Sequence, residues 1–145
     1  MKFSDIEQSQ WPALQPYLDT CLLPVTGLNG SEEPWQATYA LEQLRDLLDL
    51  VEIPFKGRIV TYPALHYIHG QTDVGHLSDL CSSFKKTGFA YVILAGNGIN
   101  GSLPLTDSIT GCDLVLSHTE LSPFSINERQ KLVQERITAI WSRSQ

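Results

Sequence analysis

The stretch Phe89–Gly96, FAYVILAG, constrains the fold of this chain more than any other. It carries no charge and is dense in β-branched, aromatic and other apolar residues. A strand with one wet face alternates apolar and polar residues. A continuous apolar run instead marks a strand covered on both faces, as in the middle of a mostly parallel sheet with helices above and below. The remaining segments then divide into strands beside this one and helices packed over it.

Taken in order, Ser9–Asp19 reads as a short helix with Pro12 in its first turn and a partial stripe of Trp11, Leu14 and Leu18. Cys21–Val25 follows as a brief strand, where Pro24 implies an early end or a place near an edge. Residues 26–34, TGLNGSEEP, have loop composition. Trp35–Val51 is the clearest amphipathic helix, with Trp35, Tyr39, Leu44, Leu47, Leu48 and Val51 on one side, and Pro54 stops it. A strand over Gly57–Tyr62 ends at Pro63, and residues 64–71 read equally as a strand extension or a loop. A helix capped by Thr72 or Asp73 runs to Lys86, with Lys85 and Lys86 in its last turn and Gly88 just beyond. After the central strand come a Gly/Asn-rich stretch, a strand over Cys112–Ser117 and a final helix, Ser125–Ser142. That helix opens on the Ser125/Glu128 spacing of a capping box, and Ile126, Val133, Ile137, Ile140 and Trp141 form its apolar face.

Strands alternating with helices of this length make right-handed βαβ units and a parallel sheet. The expected fold is a single α/β domain over residues 1–145, a small three-layer sandwich with a mostly parallel sheet of about four strands. By analogy with flavodoxin-like and Rossmann-like sheets, the expected strand order is 2-1-3-4.

Composition narrows the partners. The net charge is −6 with 10 Lys and Arg, and no basic run exceeds Lys85-Lys86, so the chain repels a phosphate backbone and nucleic acid is not expected. Cys21, Cys81 and Cys112 are odd in number and widely spaced, which indicates neither a disulfide framework nor a zinc knuckle; each is expected as a buried small hydrophobe. The opening MKFSDIEQSQ has no apolar signal region, and no stretch approaches the ~20 apolar residues of a membrane span. A cytoplasmic protein without membrane insertion is expected.

Several motifs fail on their mechanics. Gly96-Asn97-Gly98-Ile99-Asn100-Gly101 is a literal GxGxxG, with Glu120 near the place of a ribose-binding acid. Dinucleotide binding needs a helix N-terminus behind the glycines, whereas SLPLTDSIT is short and contains Pro104. The motif also follows the third strand rather than the first, so the turn reading prevails. His66-x-x-His69, with His76 further on, lacks a third ligand at suitable spacing, and no metal or other cofactor is expected. Ser117 and His118 are adjacent in a strand and point to opposite faces, and no GxSxG elbow occurs. Trp35 and Trp141 fit helix faces as core residues. Trp11 fits packing or, less directly, a subunit contact.

Tyr17–Val25, YLDTCLLPV, and Phe55–Pro63, FKGRIVTYP, together resemble the YpiF-like family, uncharacterised small cytosolic proteins of spore-forming Gram-positive bacteria. Length and helix order agree with it as well. The family carries no assigned activity or catalytic residues. Its members are often encoded beside components of the menaquinol–cytochrome c branch of respiration, so the resemblance implies an accessory role at most. Asp19 and Arg58 in these segments each precede a strand, at the amino edge of a parallel sheet, and are expected to pair there.

Without paired catalytic carboxylates, a nucleophile setting or a complete phosphate loop, the expected function is a non-catalytic binding or accessory protein that acts through a protein partner or a homo-oligomer. The alternative is an enzyme binding a nucleotide or small phosphorylated metabolite. Its site would lie at the carboxyl edge between the first and third strands, drawing on Asn29, Ser31, His66, Asn97, Asn100, Ser102 and Glu120.

Overall fold

The uncharged run is the second inner strand of a four-stranded parallel sheet. A computed structural model describes residues 1–68, 73–97 and 109–143. The strands are β1 (Thr20–Val25), β2 (Ile59–Thr61), β3 (Tyr91–Gly96) and β4 (Leu114–Ser117), in the order β2-β1-β3-β4. Every residue of β3 is buried, and it pairs along its whole length with β1, from Thr20 opposite Tyr91 to Val25 opposite Gly96. The α/β class and the order 2-1-3-4 are those read from the sequence.

Helices α1 (Trp11–Leu14), α2 (Pro34–Glu52), α3 (Val74–Lys86), α4 (His118–Leu121) and α5 (Ile126–Ser142) cover the sheet. The two-residue repeat of the strands feeds two cores. Cys21, Leu23, Val92 and Leu94 face Leu77 and Cys81 of α3, with Trp11 and Leu14 of α1 at the margin. Leu22, Ile93, Ala95 and Leu116 face Leu47 and Val51 of α2 and Ile137 and Trp141 of α5. The β1–β2 crossover through α2 and the β2–β3 crossover through α3 run in opposite directions on opposite faces, as two crossovers of one hand must.

Local chemistry explains where the elements differ from their expected bounds. α1 covers four residues rather than Ser9–Asp19, because Pro16 has no N–H for the carbonyl of Pro12. Pro24 lies inside the sheet, not at its edge. Leu22 and Pro24 both direct their carbonyls to the β2 side, accepting from Tyr62 and Leu65. The missing N–H of Pro24 therefore falls where β2 has already ended at Thr61. Leu65 extends that side by one bridge to Val25, and Tyr67, at φ +58°, breaks it, so residues 64–68 are mostly loop, and 69–71 lie outside the described residues. The outer edge of β2 is covered by Lys2, which pairs with Thr61. α3 begins after Asp73 and ends before Gly88, at φ +120°; Thr72 lies outside the described residues. The strand expected from Cys112 starts at Leu114, and the four-residue α4 follows it directly. In α5, Ser125 Oγ accepts from the Glu128 N–H at 3.3 Å, the N-cap half of the expected box.

Two expected core aromatics and one aliphatic are instead exposed: Trp35 at 69%, Tyr39 at 62% and Ile126 at 57%. All three occupy the first turns of their helices. The Asn97 amide, immediately past β3, reaches the Ala40 carbonyl at 3.1 Å. The turns of α2 before Ala40 thus lie past the end of β3, with no strand of the described residues beneath them.

At the opposite edge, Arg58 Nε and Nη2 donate to Asp19 Oδ1 and Oδ2 at 2.9 and 3.1 Å, the expected pair. The guanidinium lies 4.0 Å from the centre of the Trp141 ring. Trp141 Nε1 donates to Thr20 Oγ1, which donates to Asp19 Oδ1. One bidentate ion pair therefore joins the starts of β1 and β2 and holds the end of α5 over them. No helix among the described residues is long and apolar enough to cross a membrane.

Candidate functional site

Parallel α/β sheets hold ligands where adjacent crossovers diverge, here between the carboxyl ends of β1 and β3. In this chain the two backbones meet at that point. A Cβ on Gly96 would stand 1.9 Å from the Val25 carbonyl oxygen, and a Cβ on Gly27, at φ +78°, would stand 2.6 Å from Asn97 Cβ. Asn97 Nδ2 donates to the carbonyls of Thr26 and Ala40, at 3.4 and 3.1 Å, stitching β3 to the β1 loop and to α2. His66 Nδ1 lies 3.3 Å from Thr26 Oγ1, so His66 and Asn97 meet through Thr26.

The other expected site residues have local partners. Asn29 Oδ1 accepts from the backbone N–H and hydroxyl of Ser31. Glu32 accepts from the N–H groups of Asn29 and Gly30, and the bond from Asn29 chiefly holds its carboxyl below the usual range. Glu120, on α4, pairs with Arg136 at 3.1 Å and stands apart from this group. Asn100, Ser102, His69 and the glycine motif beyond Asn97 lie outside the described residues. Among the described residues, no group of three or more His, Cys, Asp or Glu is placed to hold a metal ion.

A different concave surface runs between α2 and the α4–α5 corner. Near α4 it is a groove of about 350 Å³ between Tyr39, Leu47, Leu121 and Ile126. Toward the end of α2 it continues as a groove of about 440 Å³ between Leu50, Ile53 and Ile126. Asp46, Leu50, Ile126 and Arg129 line both, so the two form one channel. Its α2 wall, from Tyr39 to Ile53, is about 20 Å long at the helical rise. Ile53, at 63% exposed, marks one end, and Tyr39 the other, with Trp35 one turn beyond it.

The α2 wall of this channel is acidic, and the α5 wall carries Arg129, Gln130 and Gln134. Glu42, Asp46 and Asp49 come from α2. Arg45 reaches Asp46 only at 3.7 Å, and both are about 70% exposed, so solvent screens the pair. Arg129 donates Nε to the Phe124 carbonyl and Nη2 to that of Ser122, which anchors the cation to the turn before α5. Burial and the nearby Arg129 lower the pKa of His118, partly offset by Asp46, so the imidazole adds no charge at neutral pH.

Helical periodicity assigned Trp35, Tyr39 and Ile126 to the core because it ranks faces without locating the strand beneath them. Their positions in the first turn or two of each helix were the available clue. A family model described as a protein of unknown function (DUF2487) matches residues 9–142. No curated protein and no solved structure matches the chain.

Proposed function

We propose that this chain, which belongs to the DUF2487 family of proteins of unknown function, works as a non-catalytic docking domain whose channel between α2 and α5 receives an amphipathic helix with a basic flank. The observation that carries this reading is the channel itself, apolar along its floor and bordered by Glu42, Asp46 and Asp49. A helix of about four turns matches the Tyr39–Ile53 wall in length. Its apolar residues would cover Leu50, Ile53 and Ile126 while Lys or Arg face the carboxylates, the helix-in-groove mode of recognition. The acidic chain, at −6, adds long-range attraction for such a segment and repels nucleic acid. We take the family to be the YpiF-like one and the partner to be a protein of the bacterial cytoplasm, for which the protein is an accessory.

The test uses a defined probe, a fluorescent 15-residue Leu/Lys amphipathic helix, read by anisotropy. Binding should weaken about tenfold or more in Ile53→Asp and in Ile126→Asp, and weaken again as salt rises. Equal binding by both variants, or tighter binding of a Leu/Glu analogue, would overturn the reading. A thermal shift with nucleotides that Asn97→Ala abolishes would favour the carboxyl-edge enzyme instead. Sedimentation of a dimer that Ile53→Asp dissociates would identify the occupant as a second copy.

A further inference from the structure

We propose that Cys81 and Cys112 form a dithiol modification site, which a small disulfide such as glutathione disulfide converts to an internal disulfide that fastens the segment entering β4 to α3. This site is independent of the docking channel and lies on the other face of the sheet.

The fold lays residues 110–113 along one side of α3, contact by contact. Ser78 Oγ accepts from the Thr110 N–H at 3.0 Å. One turn further along α3, a side chain on Gly111, at φ +83°, would stand 3.1 Å from the Ser82 nitrogen and 3.3 Å from the Cys81 carbonyl carbon, so the two backbones touch. Another turn on, Lys85 Nζ pairs with Asp113 Oδ2 at 2.9 Å. Cys81 and Cys112 lie at the middle of this ladder, held from both sides and near enough that each thiol shifts the pKa of the other, while Cys112 Sγ donates to the Leu114 carbonyl at 3.2 Å.

The two sulfurs are unequal. Cys81 is fully buried, whereas Cys112 is half-buried and so is the one a reagent can reach. The neighbouring Cys81 thiol lowers the pKa of Cys112, whereas Cys112 and burial raise that of Cys81. Cys112 is therefore the attacking thiolate and Cys81 the resolving thiol. In the first step Cys112 Sγ bonds to one sulfur of glutathione disulfide, and one glutathione thiolate leaves. In the second, Cys81 Sγ gives up its proton and attacks Cys112 Sγ, expelling the second glutathione. The protein loses two electrons and two thiol protons in total, and glutathione disulfide is reduced to two glutathiones. Cys21 is fully buried with its pKa raised by burial, and is an internal control.

The experiment treats the folded, full-length protein with excess glutathione disulfide, then combines intact mass with a non-reducing peptide map. The expected result is a mass loss of two hydrogens, a Cys81–Cys112 linked peptide and a free Cys21. The midpoint of thermal unfolding should rise by about 5 °C or more, from closure of the intervening loop. Cys81→Ser should stop at a glutathionyl adduct on Cys112, and Cys112→Ser should not react. Unreacted thiols in the folded wild type, a lasting adduct on its Cys112, a bond to Cys21, or a linked protein with an unchanged midpoint would each overturn the proposal. The wild-type map and midpoint decide it even where a variant fails to fold.

Discussion

The two edges of this sheet are closed by different means. At the amino edge, side chains do the work: Asp19 and Arg58 pair two oxygens to two nitrogens, and Trp141 lies under the guanidinium. At the carboxyl edge the backbones themselves meet, with Gly96 against Val25 and Gly27 against Asn97. A side-chain closure tolerates some substitution, since shape and charge can be partly replaced. A backbone closure tolerates none, because any Cβ occupies space already filled.

The sharpest test of this contrast is Gly96→Ala. With Val25 O at 1.9 Å from the new Cβ, β1 and β3 must separate, and the expected loss is more than about 3 kcal/mol, enough to abolish a cooperative unfolding transition in urea. A variant within 1 kcal/mol (roughly the ordinary effect of a point mutation) would show the carboxyl edge to be as adaptable as the amino one.

Next in size is Arg58→Ala, which strips Asp19 of two hydrogen bonds and Trp141 of its cation. The side chains of Arg58 and Asp19 are 39% and 29% exposed, so solvent offsets part of the loss, leaving about 1.5–3 kcal/mol. Arg58→Lys should recover less than half, since an ammonium cannot present the fork. Unchanged melting in both Arg58→Ala and Asp19→Ala would remove the ion pair from the account of this edge.

Asn97→Ala deletes two amide bonds to the carbonyls of Thr26 and Ala40 and should cost about 1–2 kcal/mol by denaturant titration. The smallest effect belongs to Glu32, whose carboxyl is held below its ordinary range by the N–H groups of the β1–α2 loop. A depressed folded pKa contributes stability that is present above the unfolded value and lost as pH falls through the folded one. Its loss is therefore confined to pH below the ordinary Glu range near 4.5. Glu32→Gln should flatten that acid limb, measured by Tm against pH, by lowering Tm slightly at neutral pH and leaving it unchanged in acid, where the wild-type carboxyl is protonated.

Much of the architecture was legible because it rests on local rules. The apolar run of β3 announced an inner strand, and apolar strand-length runs alternating with helical stripes pointed to the α/β class. Asp19 and Arg58 were legible as a pair because each stands directly before a strand, and parallel strands in neighbouring positions bring their starts together. Pro24 was misread because a proline's cost depends on which neighbour its nitrogen faces. That neighbour's length, three residues in β2, is a tertiary fact. The candidate site was less legible than the fold. The residues expected to meet a ligand were chosen for their loop chemistry, and the sequence does not say that Asn97 turns inward to Ala40.

The sequence alone determined which segments are strands and helices, the parallel sense of the sheet and the ion pair at its amino edge, since propensity, periodicity and the place of a residue before a strand are read locally, whereas the strand order came from analogy with flavodoxin-like and Rossmann-like sheets. Only the tertiary structure decided where the helices overhang the sheet, that Trp35, Tyr39 and Ile126 stay in solvent beside an acidic channel, and that Cys81 and Cys112 meet. Each of these depends on two distant segments arriving at one place, and local periodicity carries no information about that distance.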